Sequence, residues 1–254
     1  MTELLADNTL AVVDPEPAYQ RIAALAASCY DHPALNNPFY ETWRAGKLPV
    51  ADVELVARNF YEHVAPTANR LATVFLRLTD ERARAETIEN LSDELGHGDP
   101  NNVHALLLRR MLEDLLSRMH GRPVDFDEVD STVLPETRKL VHQGMALFGD
   151  ERPEVGCGAL LAQEWHAYPQ LVYLYEGMRN YMDLYSLEDF HVNSEYFYLH
   201  IGATEKEHKV HSISTAAQMC RTEEQIALLE YGYLSYLDLL AQYWNGLYQA
   251  LSVA

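Results

Sequence analysis

The chain has 254 residues, 48% of them hydrophobic, which is ordinary for a globular protein that buries a large core. Its 38 acidic and 19 basic residues give a formal net charge of -19, which argues against nucleic acid and anionic membrane surfaces as partners. The sequence has no stretch of about 18 apolar residues free of charge, so we expect no membrane span.

Helical periodicity follows an acidic N-terminal segment, residues 1–15, which lacks the pattern of a signal peptide and is expected to be flexible. Residues 16–254 are predicted to form one domain. The apolar spacing, together with Pro, Gly and capping residues, predicts helices at 17–30, 39–45, 49–78, 79–95, 101–119, 134–148, 159–182, 187–220 and from 222 onwards. No strand-like alternation or internal repeat is present. The sequence therefore predicts an all-α, single-domain bundle with about seven core helices.

The cysteines are few and widely separated. Cys29, Cys157 and Cys220 form no CxxC pair, so the sequence predicts neither a disulfide framework nor a zinc ribbon. A reduced, cytoplasmic setting is expected.

Several carboxylates and imidazoles lie in segments that otherwise have the pattern of buried helices. Because Glu and His are rarely buried without a partner, such residues indicate a site inside the bundle. Two irons would neutralise four carboxylates, and iron accepts both carboxylate oxygen and imidazole nitrogen. The candidate metal ligands are Glu62, Glu94, His104, Glu164, His200, Glu205 and His208.

Two Glu-x-x-His motifs, the ligand pattern of di-iron helical bundles, occur at Glu94–His97 and Glu205–His208. The first is interrupted, because Gly96, Gly98 and Pro100 should end the helix where His97 would have to project inward. We therefore predict that His104, at the start of the following helix, is the ligand. His97 remains the alternative.

At four places the chain resembles the family of haem-oxygenase-like di-iron oxidases and oxygenases. The matching stretches are 60–66, 90–104, 162–164 and 200–208, and residues 38–48 resemble the opening segment of that family. Relatives of this fold include the chlamydial death-domain-associating protein and the pyrroloquinoline-quinone synthase and thiaminase-like proteins. The resemblance implies a haem-oxygenase-like helical bundle.

What the resemblance implies about function is more specific. The seven candidate ligands would hold two Fe(II)/Fe(III) ions, with O2 as co-substrate and no catalytic residue beyond the ligands. The substrate would be a small molecule, with an amino acid or amino-acid derivative in a biosynthetic pathway favoured. A homodimer that binds neither nucleic acid nor membrane is expected.

The stretch 200–208 departs from the family pattern, which is His-x-x-x-Asp-x-x-His. Here Thr204 stands at the expected carboxylate position and Glu205 one residue later. On an ideal helix His200 and Glu205 lie roughly 140° apart. A π-bulge would restore a common face, so we expect an irregular helix between them. Glu207 and His211 are the substitutes if the register differs.

Other functions stay open on sequence alone. The same fold could carry a fatty-acid oxidative decarboxylase, a cofactorless oxidase or a thiaminase-like hydrolase. A non-catalytic interaction protein is the remaining alternative. Iron binding would distinguish a di-iron enzyme from a cofactorless enzyme or a non-catalytic protein.

Overall fold

The structure, a computed structural model, describes residues 15–128, 132–201 and 203–253, and for residues 15–17, 128 and 203–208 it describes the backbone alone. The predicted flexible N-terminal segment therefore lies almost wholly outside the described residues. The α-helices are α1 Pro15–Ala27, α2 Pro38–Ala45, α3 Val50–Val64, α4 Thr67–Arg77, α5 Glu81–Glu94, α6 His104–His120, α7 Pro135–Phe148, α8 Pro153–Met178, α9 Leu187–Asn193, α10 Glu195–Ile201, α11 Ala203–Met219 and α12 Glu223–Ala250. No strand occurs in these ranges, which confirms the all-α prediction.

Two of the expected helices are divided. The helix predicted over 49–78 ends at Val64 and resumes as α4 at Thr67. Pro66 accounts for the break, because it has no N–H to donate to Glu62 and its ring would clash with that carbonyl. The helix predicted over 187–220 is described as α9, α10 and α11. α9 ends at Asn193–Ser194, two residue types that favour turns over helix interiors.

The long helices α8 and α12 pack along each other at the centre of the bundle. Their backbones approach so closely at Gly158 and Gly232 that a Cβ would overlap a carbonyl oxygen of the facing helix. At Gly158 that oxygen belongs to Leu229, and at Gly232 to Val155. Glycine is therefore required at both positions. This contact fixes α8, which carries Glu164, against the rest of the core.

Pro169 lies inside α8 and leaves the carbonyl of Trp165 without its intrahelical donor. The thiol of Cys29, after α1, donates to that carbonyl across 3.5 Å. All three cysteines are buried, and none forms a disulfide.

No helix in the described ranges is long and apolar enough to cross a membrane.

Candidate metal centre

The turn that follows α5 determines where the site forms. Gly96 and Gly98 have φ angles of +66° and +87°, which glycine adopts readily, and His97 between them has a φ of +51°. A Cβ at position 96 would lie 2.7 Å from the carbonyl carbon of Asn102, so the loop closes tightly on itself. It brings the start of α6, at His104, back to the end of α5.

Three predicted ligands meet at this point. Glu94, His104 and His200 each offer a ligand atom, and these atoms lie within 4.8 Å of one another. Oε1 of Glu94 is 3.4 Å from Nδ1 of His104 and 3.8 Å from Nε2 of His200. The His104 and His200 side chains are only 8% and 9% exposed. The cluster joins α5, α6 and α10.

The imidazole of His200 is oriented by its own helix. Its Nδ1 lies 2.7 Å from the carbonyl oxygen of Tyr196, so the Nδ1–H donates to that carbonyl and Nε2 keeps its lone pair. Metal-binding histidines are commonly held in this way by the nitrogen that does not bind the metal. The His104 ring packs edge-on against the His200 ring, with 4.5 Å between the ring centroids. Nδ1 of His104 is buried and has no hydrogen-bond partner in the described chain.

The electrostatics of the cluster favour an ionised carboxylate. Burial raises the pKa of Glu94, but the neighbouring imidazoles of His104 and His200 lower it. The two histidines outweigh burial, so the pKa of Glu94 lies well below its usual range. An ionised oxygen beside two imidazole nitrogens is a donor set that iron accepts.

A cavity of about 60 Å³ opens beside the cluster. Glu94 lines it from α5, His200 from α10 and Glu164 from the central helix α8. The remaining lining residues are His63, Val64, Thr67, Arg70, Gln163, His166, Ala167, Gln170, Leu171, Tyr196, Tyr236 and Leu240.

The other predicted ligands are placed as follows. Glu62 lies half-buried on α3 and is not among the cavity-lining residues, although its neighbour His63 is. Glu205 and His208 lie outside the residues whose side chains the structure describes, and so does the expected irregularity between His200 and Glu205. Their roles stay predictions. His97 is 69% exposed and pairs with Asp93 at 3.1 Å, away from the cluster.

Among the cavity residues that the sequence reasoning passed over, His63, Arg70, His166 and Tyr236 carry ionisable groups. Burial, with the charge of Arg70 adding to it, lowers the pKa of His63 well below its usual value. Burial also lowers the pKa of His166 to about 4, against the effect of its 3.1 Å hydrogen bond to the Ala34 carbonyl. Both imidazoles are therefore neutral near pH 7.

A sequence signal existed for one of these residues. Arg70 shares the buried face of α4 with Leu71 and Val74, at the one- and four-residue spacings of a helix that packs on a core. A charged residue on an apolar face is unusual and indicates a buried partner or ligand.

Comparison with known proteins places the chain in a family. The family model for iron-containing redox enzymes matches residues 54–239, which is most of the chain and includes Glu94, His104, Glu164 and His200. The chain belongs to this family of iron-containing redox enzymes. The expected oxidoreductase class and the use of iron are thereby confirmed.

Among curated relatives, this iron-containing redox enzyme is similar to two proteins named 4-aminobenzoate synthase. It is 32% identical over 73 residues to that of Chlamydia pneumoniae, covering 29% of this chain and 32% of the relative. It is 32% identical over 69 residues to that of Chlamydia muridarum, covering 27% of this chain and 29% of the relative. The chain thus spans about a third of the length of the curated relatives it matches.

Solved structures confirm the haem-oxygenase-like fold. A CADD-like protein of unknown function from Nostoc punctiforme superposes with a TM-score of 0.73 at 18% identity, covering 92% of this chain and 98% of that one. A domain with a heme oxygenase-like fold from Shewanella denitrificans superposes with a TM-score of 0.64 at 16% identity, covering 94% of each chain. A TenA homolog from Pseudomonas syringae pv. tomato gives 0.68 at 13% identity, covering 98% of each.

Proposed function

We propose that this chain is a non-haem di-iron oxidase or oxygenase that uses O2 to oxidise a small amino acid or amino-acid derivative in a biosynthetic pathway. The observation that carries the proposal is the cluster of Glu94, His104 and His200, whose ligand atoms lie within 4.8 Å of one another in a family of iron-containing redox enzymes. Iron, when bound, supplies the electron-transfer and O2 chemistry that amino-acid side chains lack.

The residues of the cluster fit an iron ion. The carboxylate of Glu94 is ionised, and the hydrogen bond from Nδ1–H of His200 to the Tyr196 carbonyl leaves the lone pair of the ring on Nε2, which faces Glu94 at 3.8 Å. Nδ1 of His104 is buried and without a hydrogen-bond partner in the described chain, which would cost about 1–3 kcal/mol if nothing bound it. A metal ion at this point would satisfy all three groups.

We place a second iron beside Glu164 in the same cavity. Glu164 lines the cavity from α8, together with Glu94 and His200. Di-iron bundles collect carboxylates from several helices in this way. We assign Glu62, Glu205 and His208 to the same pair of irons on the pattern of the sequence. The proposed set then contains four carboxylates and three imidazoles.

The chain itself has three tasks in this proposal. The carbonyl of Tyr196 holds the His200 ring in one orientation. The neutral His63 and His166 line the cavity with polar groups that add no charge. Apolar Leu171 and Leu240 also line the cavity, and low-polarity walls strengthen the charge interactions beside them.

The substrate class is supported by the curated relatives. Their name, 4-aminobenzoate synthase, specifies the formation of a small compound that carries both an amino group and a carboxylate. A cavity of about 60 Å³ suits a small polar molecule or one end of a larger one. We infer a substrate with these two functional groups.

Anaerobic Fe(II) loading followed by exposure to O2 tests the proposal. The wild-type protein should bind about two irons per chain and consume O2 when they are oxidised. The variants Glu94→Gln and Glu154→Gln distinguish loss of the site from loss of the fold, because Glu154 is a buried carboxylate that accepts a hydrogen bond from Gln225 and does not line the cavity. Only the first variant should lose iron. Tight binding of one iron or none, or loss of iron in both variants, would contradict the assignment.

A further inference from the structure

A buried guanidinium lines the cavity of the candidate metal centre. Arg70, on α4, is 1% exposed and shares the cavity wall with Glu94, Glu164 and His200. Burying a cation costs several kcal/mol unless an anion or a full set of acceptors surrounds it. What surrounds Arg70 therefore decides what the residue is for.

The protein groups that contact Arg70 are all neutral. Its Nη2 donates to the carbonyl oxygen of His63 at 2.6 Å and lies 3.4 Å from Nδ1 of the same residue. Its Nη1 donates to Oε1 of Gln163 at 3.3 Å, and the guanidinium lies over the ring of Phe148. No carboxylate oxygen lies within 4.0 Å of Arg70 among the side chains that the structure describes. These contacts orient the guanidinium without neutralising it.

Two further polar atoms of the cavity are without partners. The hydroxyl of Tyr236 and Oε1 of Gln170 are buried, line the same cavity and have no partner of good hydrogen-bond geometry in the described chain. The Arg70 guanidinium lies near enough to Tyr236 to lower the pKa of its hydroxyl against the larger effect of burial. Buried polar groups are nearly always hydrogen-bonded, and exceptions in a cavity mark a place for a ligand. Tyr236 can donate to an anion, whereas Oε1 of Gln170 can accept from an N–H.

We propose that Arg70 binds the carboxylate of the substrate, with Tyr236 as a second donor. A guanidinium matches a carboxylate in shape, and a charge-assisted pair with a buried arginine is strong enough to fix the orientation of the bound molecule. The carboxylate then lies on the α4 and α12 side, and the rest of the molecule extends towards Glu94, His104 and His200. Oε1 of Gln170 accepts from the amino group of the same molecule.

That the bound carboxylate belongs to a substrate rests on the proposed function. The binding site itself is independent of iron, which allows the two to fail separately. The alternative role for Arg70 is purely structural: it satisfies the His63 carbonyl at the end of α3, where Pro66 interrupts the helix. A structural role predicts no preference for anions.

Metal-free protein titrated with acetate and with acetamide distinguishes the two roles. Both probes carry a methyl group whose saturation-transfer NMR signal gives a Kd, and they differ mainly in charge. We expect acetate to bind at least about tenfold more tightly than acetamide to the wild type. Arg70→Met should abolish that preference, whereas Arg84→Met, which removes an arginine that pairs with Glu81 at the surface, should keep it.

Tyr236→Phe covers the case in which Arg70→Met does not fold. This variant removes a hydroxyl without a partner and should fold normally, while acetate binding weakens several-fold and acetamide binding does not change. Equal binding of the two probes to the wild type, or an unchanged preference in a folded Arg70→Met or Tyr236→Phe variant, would overturn the inference. Failure of iron binding with the acetate preference intact would overturn the proposed function alone.

Discussion

Nδ1 of His104 lies 3.4 Å from Oε1 of Glu94, although a loop with three residues at positive φ separates the two helices that carry them. The loop is part of the site, because Gly96 can adopt its conformation only without a side chain. Position 96 is crowded by Asn102, whereas position 98 is open.

Replacement of Gly96 and of Gly98 by alanine distinguishes the cost of a positive φ, which both positions share, from the steric clash with Asn102, which only position 96 has. Both Gly96→Ala and Gly98→Ala should cost about 1–2 kcal/mol of folding free energy for a left-handed φ. Gly96→Ala should also displace His104 from Glu94 and weaken Fe(II) binding at least about tenfold, whereas Gly98→Ala should not. Chemical denaturation and anaerobic Fe(II) titration measure the two effects. Equal iron affinity in both variants would show that the loop does not position His104.

Removal of the two candidate imidazoles should have opposite results. His97→Ala removes an exposed ring that pairs with Asp93 and should bind iron like the wild type. His104→Ala removes a buried nitrogen of the cluster and should lose binding at one iron position. Anaerobic equilibrium dialysis with Fe(II) measures both. Iron loss in His97→Ala, with His104→Ala unaffected, would reverse the assignment.

Glu164 should determine whether one iron or two is bound. If it serves the second position, Glu164→Gln should lower the iron content from about two to about one per chain. Metal analysis after desalting gives the count, and circular dichroism verifies the helical fold. An unchanged iron content would remove Glu164 from the ligand set.

The close contact of α8 with α12 should make Gly158 intolerant of any side chain. Gly158→Ala forces a methyl group onto the Leu229 carbonyl and should cost at least about 2 kcal/mol of unfolding free energy. Gly46→Ala is the control, since no atom lies within 4 Å of its would-be Cβ and its φ is 171°. Urea unfolding compares the two variants. Equal stabilities would mean that the two helices separate at little cost.

The cysteine thiols should be inert in the folded protein. Burial raises the pKa of Cys29 from 9.0 to about 11 and that of Cys220 to about 12. At pH 8 the thiolate fraction of Cys29 then falls about 100-fold, and a disulfide reagent should react correspondingly slowly until the chain is unfolded. The unfolded thiol ionises first, so its contribution to stability is present below pH 9 and is lost as the pH rises towards 11. Fast labelling of all three thiols in the native state would contradict this.

Much of the architecture and part of the site follow from local sequence rules. The helical pattern gives the bundle, and Gly96, Gly98 and Pro100 indicate that the helix ends before His97, so that His104 is the imidazole placed beside Glu94. Pro66 is an equally strong signal for the break between α3 and α4. The prediction missed this break because the apolar periodicity continues across the proline.

The remainder depends on contacts between distant segments. The apolar face of α4 indicates that Arg70 is buried, but its contacts with Gln163 and Phe148, which lie far along the chain, follow from no local pattern. The hydrogen bond from His200 to the Tyr196 carbonyl depends on a ring orientation that spacing alone does not specify. For the same reason the sequence identified candidate metal-binding residues but not the residues proposed to bind the substrate.

The most direct test of the account is an anomalous difference map at the iron edge, from crystals grown anaerobically with Fe(II). The account predicts one peak within coordinating distance of Glu94, Nδ1 of His104 and Nε2 of His200, and a second peak on the Glu164 side of the cavity. A single peak at the first position would retain the cluster and reject the di-iron assignment. Iron bound elsewhere, with the cluster empty, would contradict the central claim.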